Sequence, residues 1–545
     1  MKMNRISTVL TLLGLTFTCT TLRAAEPAPN AEAQGGLRLP AIFSDHMVLQ
    51  RDLAVPVWGR AAAEEEVRVS IAGQSAAAKA GADGKWKVSL KPIAVTDSTE
   101  LVVKGKDQTI TVKDVAVGEV WVCSGQSNME KPLGKEAGAI TADPGLRMFT
   151  VEKHTSLSPL ADAPGSWVLA TPEAAKNFSA VGYYFSRELR NARKVPVGMI
   201  HSSWGATTVL AWTSLEGLEQ NPQTLRWAKD ARKLRDDLPN LLPKYQAELE
   251  AYKEASKKYA ETVWNPYMEA RKVRSEEQRQ AKTAGKPIPG DVPAPTAQKP
   301  REPNHPDGGA ATPTSTFNGM IAPLIPYAIK GVVWYQGESN HGDVLYQNHQ
   351  AGEIADWRHL WQQGDFPFIF VQLPPFHGHS ALLRDSQLKV WETVPGTAMV
   401  VSTDCNPPPR GLHPGNIHKA VVGARLALAA RAIAYGESLE YSGPLYQSMR
   451  VDGQRAILSF THCGKGLVAK DGELQDFTVA GEDRTFVPAK ATIVENTVVV
   501  SSEQVALPVA VRFGWSNEPV GNLYNVEGLP ASPFRTDNWE KPKDK

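Results

Sequence analysis

What most restricts the fold of this chain is a set of short, unbroken apolar runs, each ending in a polar turn. Val120-Trp121-Val122-Cys123 runs into Ser124-Gly125-Gln126-Ser127-Asn128, and Gly331-Val332-Val333-Trp334-Tyr335 runs into Gln336-Gly337-Glu338-Ser339-Asn340. Pro367 to Leu373 and Ala398 to Ser402 are further runs of the same kind, and Val197 to His201 forms another strand after a predicted helix over 180–193. Strands that are apolar throughout, rather than at alternate positions, belong to a sheet covered on both faces. Their alternation with helical segments predicts an α/β core, in which polar residues at strand ends converge on one crevice.

Other textures surround that core. A chain of 545 residues is too long for one hydrophobic core. Residues 37–114 alternate apolar and polar positions between Gly-rich breaks, as in Val67-Arg68-Val69-Ser70-Ile71, which predicts an N-terminal β-sandwich. The core then occupies 115–223 and 315–437, and 438–540 returns to short alternating strands in a C-terminal β-rich module. Between the two core parts, 224–314 reads as a helical insertion and a Pro-rich connector. Tyr245, Leu249, Tyr252, Ser256, Tyr259 and Val263 share one helical face, so a hairpin or short coiled coil is expected, broken near Pro239, Pro243 and Pro266. A helix of about 25 residues would project roughly 37 Å, as an arm over a cleft or a contact in a homodimer.

Charge and composition remove several function classes. A net charge of +1 gives no electrostatic case for nucleic acid or an acidic membrane. Lys2 and Arg5, the apolar run Val9 to Phe17 and the small residues at Ala24-Ala25 read as a signal peptide over 1–25, which places the mature chain in the periplasm or outside the cell. No later run is long enough to span a bilayer. Cys123, Cys405 and Cys463 remain after the signal, enough for one disulfide at most and without metal-ligand spacing. His377-Gly378-His379 lacks a third ligand and reads as a loop pair.

The strand ends carry the groups an ester hydrolase needs: a nucleophile, a base, an orienting group and oxyanion donors. Ser127 sits in a tight turn made possible by Gly125; taken alone it reads more readily as a turn or helix-cap serine than as a nucleophile, and its companions at the other strand ends change that. Gly205, in Trp204-Gly205-Ala206-Thr207, would let a backbone N–H approach a substrate. Gln336, Glu338 and Asn340 supply amides suited to an oxyanion and a carboxylate. His413, in Leu412-His413-Pro414, is the candidate base, since a neutral imidazole with an ordinary pKa of about 6.5 can accept and return a proton near neutrality.

Taken together, Gly125-Gln126-Ser127-Asn128, Trp204-Gly205-Ala206-Thr207, Asn318-Gly319-Met320-Ile321, Trp334 to Asn340 and Leu412-His413-Pro414 resemble the sialate O-acetylesterase family within the SGNH (GDSL-like) hydrolases. Ile42 to Gln50 and the stretches Asn522 to Asn525 and Pro533 to Arg535 extend the likeness over most of the chain outside the insertion. The resemblance implies a flavodoxin-like core with flanking β-sandwich modules. It also implies hydrolysis of O-acetyl esters of sugars, needing neither metal nor cofactor, with Ser127 as nucleophile and His413 as base. The oxyanion donors would be the N–H groups of Ser127 and Gly205 with an amide of Gln336 or, second, Asn340. Many SGNH enzymes carry an aspartate three residues before the histidine, where this chain has Arg410. The orienting acid is then Asp404, which is favoured, or Glu338. Besides acetylated sialoglycans, acetylated plant or algal polysaccharides such as xylan and pectin fit the same chemistry; a carbohydrate-binding protein without chemistry is the reading from another class.

Overall fold

The computed structural model describes residues 36–539, so the signal peptide and the last charged residues lie outside the described part. Its centre is a sheet whose strands we number β1 (Thr109–Gly125), β2 (Asp143–Thr150), β3 (Trp167–Ala170), β4 (Val197–Ser203), β5 (Gly331–Tyr335), β6 (Phe368–Val371) and β7 (Thr397–Val400). Across the sheet they run β7-β6-β5-β1-β4-β2-β3. All neighbours are parallel except β2 and β3. Taken in chain order, β1, β4, β5, β6 and β7 lie in the flavodoxin-like order 2-1-3-4-5, with β2 and β3 added beyond β4. The strand order therefore reverses at β1, and the crevice outside its carboxyl end is where such folds place their ligands. The unbroken apolar runs have the expected consequence: β4, β5, β6 and β7 are buried at every residue.

Helices α2 (Ala180–Arg193) and α5 (Asn416–Tyr435) pack on each other and against the sheet, as do α3 (Tyr346–Trp361) and α4 (Ala381–Thr393). At Gly423 a Cβ would lie 2.6 Å from Tyr184 Cβ, so the α2–α5 contact depends on glycine. Trp334 of β5 is fully buried and meets Trp212 and Trp357 edge-on, each with ring centroids 6.0 Å away.

No linker separates the N-terminal β-module from the core. β1 starts as the antiparallel partner of Thr96–Lys104 and continues, without a break at 114, into the central sheet. Val115 to Cys123 is an uninterrupted buried run, and one hydrophobic cluster spans both parts. The C-terminal module has its own cluster and two four-stranded sheets. It is tied to the core by Arg535 on Asp385, 2.9 Å, and by Gln372 Nε2 donating to Ser532 Oγ, 2.8 Å.

The insertion departs from the expected hairpin. Leu225–Tyr259, a π-helical turn at Ala260–Trp264 and Asn265–Thr283 form one helical run with no break at Pro239, Pro243 or Pro266. At 1.5 Å per residue it is about 90 Å long. Pro239, Pro243 and Pro266 all lie on its exposed side, where backbone carbonyls can be solvated, which lowers the penalty proline carries in a buried helix. The expected Tyr245-to-Val263 stripe is half-buried, and the Pro-rich connector returns along the helix. Arg274 Nη1 donates to Gly290 O at 2.7 Å, Gln278 Nε2 donates to Pro289 O at 2.9 Å, and the Tyr245 and His305 rings lie 4.8 Å apart. Cys123, Cys405 and Cys463 are all free thiols. No described helix is long and apolar enough to cross a membrane.

Because Trp334 fills the space between β5 and two other indoles, Trp334→Ala should lower unfolding free energy by about 3–5 kcal/mol, measured by chemical denaturation.

Candidate active site

Ser127 opens a one-turn helix, α1 (Ser127–Glu130 in sequence, between β1 and β2), directly after the central strand. The turn into it passes through Gly125, at φ +129°, where a Cβ would fall 2.2 Å from Tyr335 O. Only glycine lets β1 end against the next strand in this way. Gln126 N–H donates to Tyr335 O at 2.9 Å, and Gln126 Oε1 accepts from the N–H groups of Gly337 and Ser339 at 3.3 and 3.2 Å. The GQSN turn is thus sewn to the loop after β5, which leaves Ser127 half-buried at the strand-end crevice.

Gly205, after β4, packs on the same turn: a Cβ there would lie 3.3 Å from Ser127 Cβ. Its N–H is occupied, donating to Glu130 Oε2 at 2.5 Å, while Lys153 donates to Glu130 Oε1 at 2.5 Å. Lys153 also lies over the Trp204 ring, 5.4 Å from its centroid.

Asn128, the residue after Ser127, carries the contacts that join the site. It is fully buried. Its Nδ2 donates to Glu338 Oε1 at 2.5 Å and to Leu412 O at 3.1 Å, and its Oδ1 accepts from Lys419 Nζ. Through Leu412 it holds the residue preceding His413 beside the residue following Ser127. The His413 loop is further braced by Asn406 Nδ2 on Gly411 O, 2.9 Å, and by Asn416 Nδ2 on Leu133 O, 2.8 Å. His413 itself is half-buried, and its Nε2 is shielded from solvent without a hydrogen-bond partner. Burial lowers its pKa, as do the cations of Lys131 and Lys419, with Glu130 opposing.

Neither carboxylate expected to orient His413 reaches its ring. Asp404 pairs with Arg425 in two bonds of 2.7 Å. Burial works against its ionisation, but the guanidinium more than offsets that and holds it below the usual carboxylate range. Glu338 reaches Asn128 instead, and its Oε2 is buried without a partner. Burial raises its pKa, opposed by the Asn128 hydrogen bond and the Lys419 charge. Arg410 points away from the ring and donates to Pro519 O at 3.4 Å.

The two amides are also committed. Gln336 Nε2 donates to Thr207 O at 3.1 Å and to Asn340 Oδ1 at 2.6 Å, which uses both its hydrogens. Asn340 Oδ1 accepts Val209 N–H at 3.1 Å, and its Nδ2 donates to Asp343 at 3.0 Å, leaving one hydrogen. Both therefore brace the loop that carries Gly205. Of the aromatic residues near these motifs, Trp212 and Tyr335 are core, at 0% and 1% exposure, whereas Trp204 is half-exposed and could flank a sugar ring. Asn318 and Gly319 are also structural: Asn318 donates to Ser156 O at 3.1 Å, and a Cβ on Gly319 would lie 2.0 Å from His154 O. His379 is buried on Pro374 O at 2.8 Å. Among the described residues no group of three or more His, Cys, Asp or Glu side chains is placed to hold a metal ion.

Sequence reasoning passed over Asn128, Glu130 and Lys419. A signal for Lys419 was present: it falls on the buried stripe of α5 with Val422, Gly423, Leu426, Ala427 and Ala430, where a lysine is out of place.

The chain is similar to known carbohydrate esterases. The family described as carbohydrate esterase, sialic acid-specific acetylesterase, matches residues 314–432. Sialate O-acetylesterase of Rattus norvegicus is 28% identical over 566 residues, covering 92% of this chain and 94% of the relative. That of Homo sapiens is 27% identical, covering 92% of each. The crystal structure of a carbohydrate acetylesterase from Xanthomonas citri is 36% identical with a TM-score of 0.73, covering 92% of this chain and all of that one.

A base must be neutral to act, so the lowered His413 pKa moves the loss of activity to more acidic solution. The acid limb of kcat/KM should fall below the ordinary histidine value of about 6.5, as read from a pH–rate profile on a neutral acetyl ester.

Proposed function

The chain belongs to the sialate O-acetylesterase family of carbohydrate acetylesterases, and from that premise we propose that Ser127 and His413 carry out its ester hydrolysis. The enzyme is a carboxylic ester hydrolase that removes O-acetyl groups from carbohydrate. The observation that carries the assignment of residues is the Asn128–Leu412 hydrogen bond, which joins the nucleophile turn to the histidine loop across 284 positions of sequence.

In the mechanism, His413 takes the Ser127 proton and the serine oxygen attacks the acetyl carbonyl. The carbonyl oxygen, now an oxyanion, accepts from the Ser127 N–H, at the first position of a helix, and from the Gly205 N–H. Glu130 Oε2 leaves Gly205 to the incoming oxygen, while Glu130 Oε1 keeps its bond to Lys153. An oxyanion donor of this kind is worth roughly 10² to 10³ in turnover. Gln336 and Asn340 contribute by fixing the loop that aims Gly205. As the C–O bond to the sugar breaks, His413 returns the proton to the departing hydroxyl. Water then gives a proton to His413 and attacks the acetyl-serine carbonyl; the bond to Ser127 Oγ breaks, acetate leaves, and His413 returns the proton to Ser127 Oγ. No carboxylate is needed at the imidazole; the packed loop and Asn128 hold the ring, and the half-buried site keeps it neutral.

The substrate proposed is an O-acetylated sialic acid, on the strength of the family match over 314–432 and relatives aligned over nearly the whole chain. Acetylated xylan or pectin is the second reading. The structural relative from Xanthomonas citri is described only as a carbohydrate acetylesterase, which is compatible with either substrate. Export through the N-terminal leader is proposed from its sequence alone.

Ser127→Ala should reduce acetate release by at least about 10³-fold with unchanged thermal stability; full activity in that variant would remove Ser127 as the nucleophile. Acetate released from acetylated sialoglycans, xylans and pectins, compared as kcat/KM, should be greatest for the sialoglycans, and a preference for either polysaccharide would establish the second reading.

A further inference from the structure

Lys419 is a charged side chain in a place that packing does not explain. It lies on the apolar face of α5 and is 1% exposed. Its ammonium donates to Asn128 Oδ1 and sits over the Tyr335 ring, 4.8 Å from the centroid. Leaving an ammonium so far from water is costly unless it is paired and hydrogen-bonded. Burial lowers its pKa to about 7, opposed chiefly by the Glu338 carboxylate, which lies on the other side of the Asn128 amide.

The consequence is geometric. An asparagine amide can turn end for end at little cost when its neighbours accept either orientation. Here the cation demands the oxygen and the carboxylate demands the nitrogen, so only one orientation satisfies both. In that orientation the second hydrogen of Nδ2 is aimed at Leu412 O. Lys419 and Glu338 therefore set the direction of the one hydrogen bond that runs from the Ser127 turn to the His413 loop.

We propose, resting on the Ser127–His413 reading above, that Lys419 is a positioning residue for deacetylation: its ammonium locks the Asn128 amide in the orientation that holds Leu412 O, and hence His413, against the nucleophile turn. It touches neither substrate nor the reacting atoms. A shift of about 1 Å between base and nucleophile can cost on the order of 10² in rate, so the expected loss is in kcat rather than in substrate binding.

The charged groups that surround this unit define what the test must control. Lys419 is faced by Glu338, the Cys405 thiol and Lys131. His413 is faced by Lys131, Lys419 and Glu130. Removing the Lys419 cation takes away one of two positive charges that disfavour protonated His413, so the base should titrate at higher pH.

The test compares wild type, Lys419→Met, Asn128→Asp and the double variant on a generic acetyl ester. Lys419→Met is expected to lower kcat by about 10²-fold with KM within about threefold, and to move the acid limb of kcat/KM upward in pH. Asn128→Asp, which keeps the shape but loses both donated hydrogens, should lose as much. The double variant should lose no more than either single one, because the two side chains act as one unit. Rates are referred to the amount of folded enzyme by calorimetry, and if Lys419→Met does not fold, Asn128→Asp carries the test alone. A lysine that only stabilises the fold would lower the melting temperature and leave both kcat and the acid limb of the folded enzyme at wild-type values, which overturns the proposal. Ser127→Ala in the same assay separates the two readings: activity surviving there defeats the assignment of the nucleophile, whereas a wild-type Lys419→Met beside an inactive Ser127→Ala defeats only the role of Lys419.

Discussion

The Asn128 amide is the contact on which the site depends. Ser127 arrives at the end of β1, and His413 arrives on a loop between β7 and α5. Nothing in the sheet brings the two together by itself. Asn128 does so with one side chain, donating to Leu412 O at 3.1 Å while adjacent in the chain to the nucleophile. Because it is fully buried, each of its polar atoms must be satisfied by protein. The Glu338 carboxylate and the Lys419 ammonium meet that demand, and in doing so select a single orientation.

That arrangement assigns the polar residues of the crevice two different duties. In the proposed mechanism Ser127, His413 and the Gly205 N–H face the reaction. Gln336, Asn340, Asn318 and Glu338 are spent on other protein groups and hold the loops in register. In the proposed mechanism no carboxylate stands at the ring; Glu338 and Lys419 act instead through Asn128 on the backbone of the histidine loop. Cations around His413 favour its neutral form, which a base needs, whereas a carboxylate at the ring would favour imidazolium.

How much of this was legible in the sequence follows from the range of each interaction. The parallel sheet was, since unbroken apolar runs such as Gly331 to Tyr335 are a local property with one structural outcome. The convergence of Ser127, Gly205, Glu338 and His413 near one crevice was also readable, as strand-end clusters in an α/β fold meet at the switch point. What was not readable is hydrogen-bond partnership. Asp404, the favoured acid for His413, and Glu338 both stood at strand ends, and only packing sends one to Arg425 and the other to Asn128. Gln336 likewise looked like an oxyanion donor until its two hydrogens were seen to be used on Thr207 and Asn340. The insertion shows the converse. Its half-buried stripe was visible in the spacing of Tyr245 to Val263, but prolines suggested breaks that an exposed helix does not need.

The central claim is that a sugar acetyl group passes through Ser127. Rapid quenching during turnover of an acetyl ester, followed by peptide mass spectrometry, tests it most directly. The account predicts a transient acetyl group on the peptide carrying Ser127, formed and lost at rates compatible with turnover and absent from Ser127→Ala. Turnover that proceeds with that peptide unmodified at every time sampled, or an acetyl group found on another residue, would contradict it.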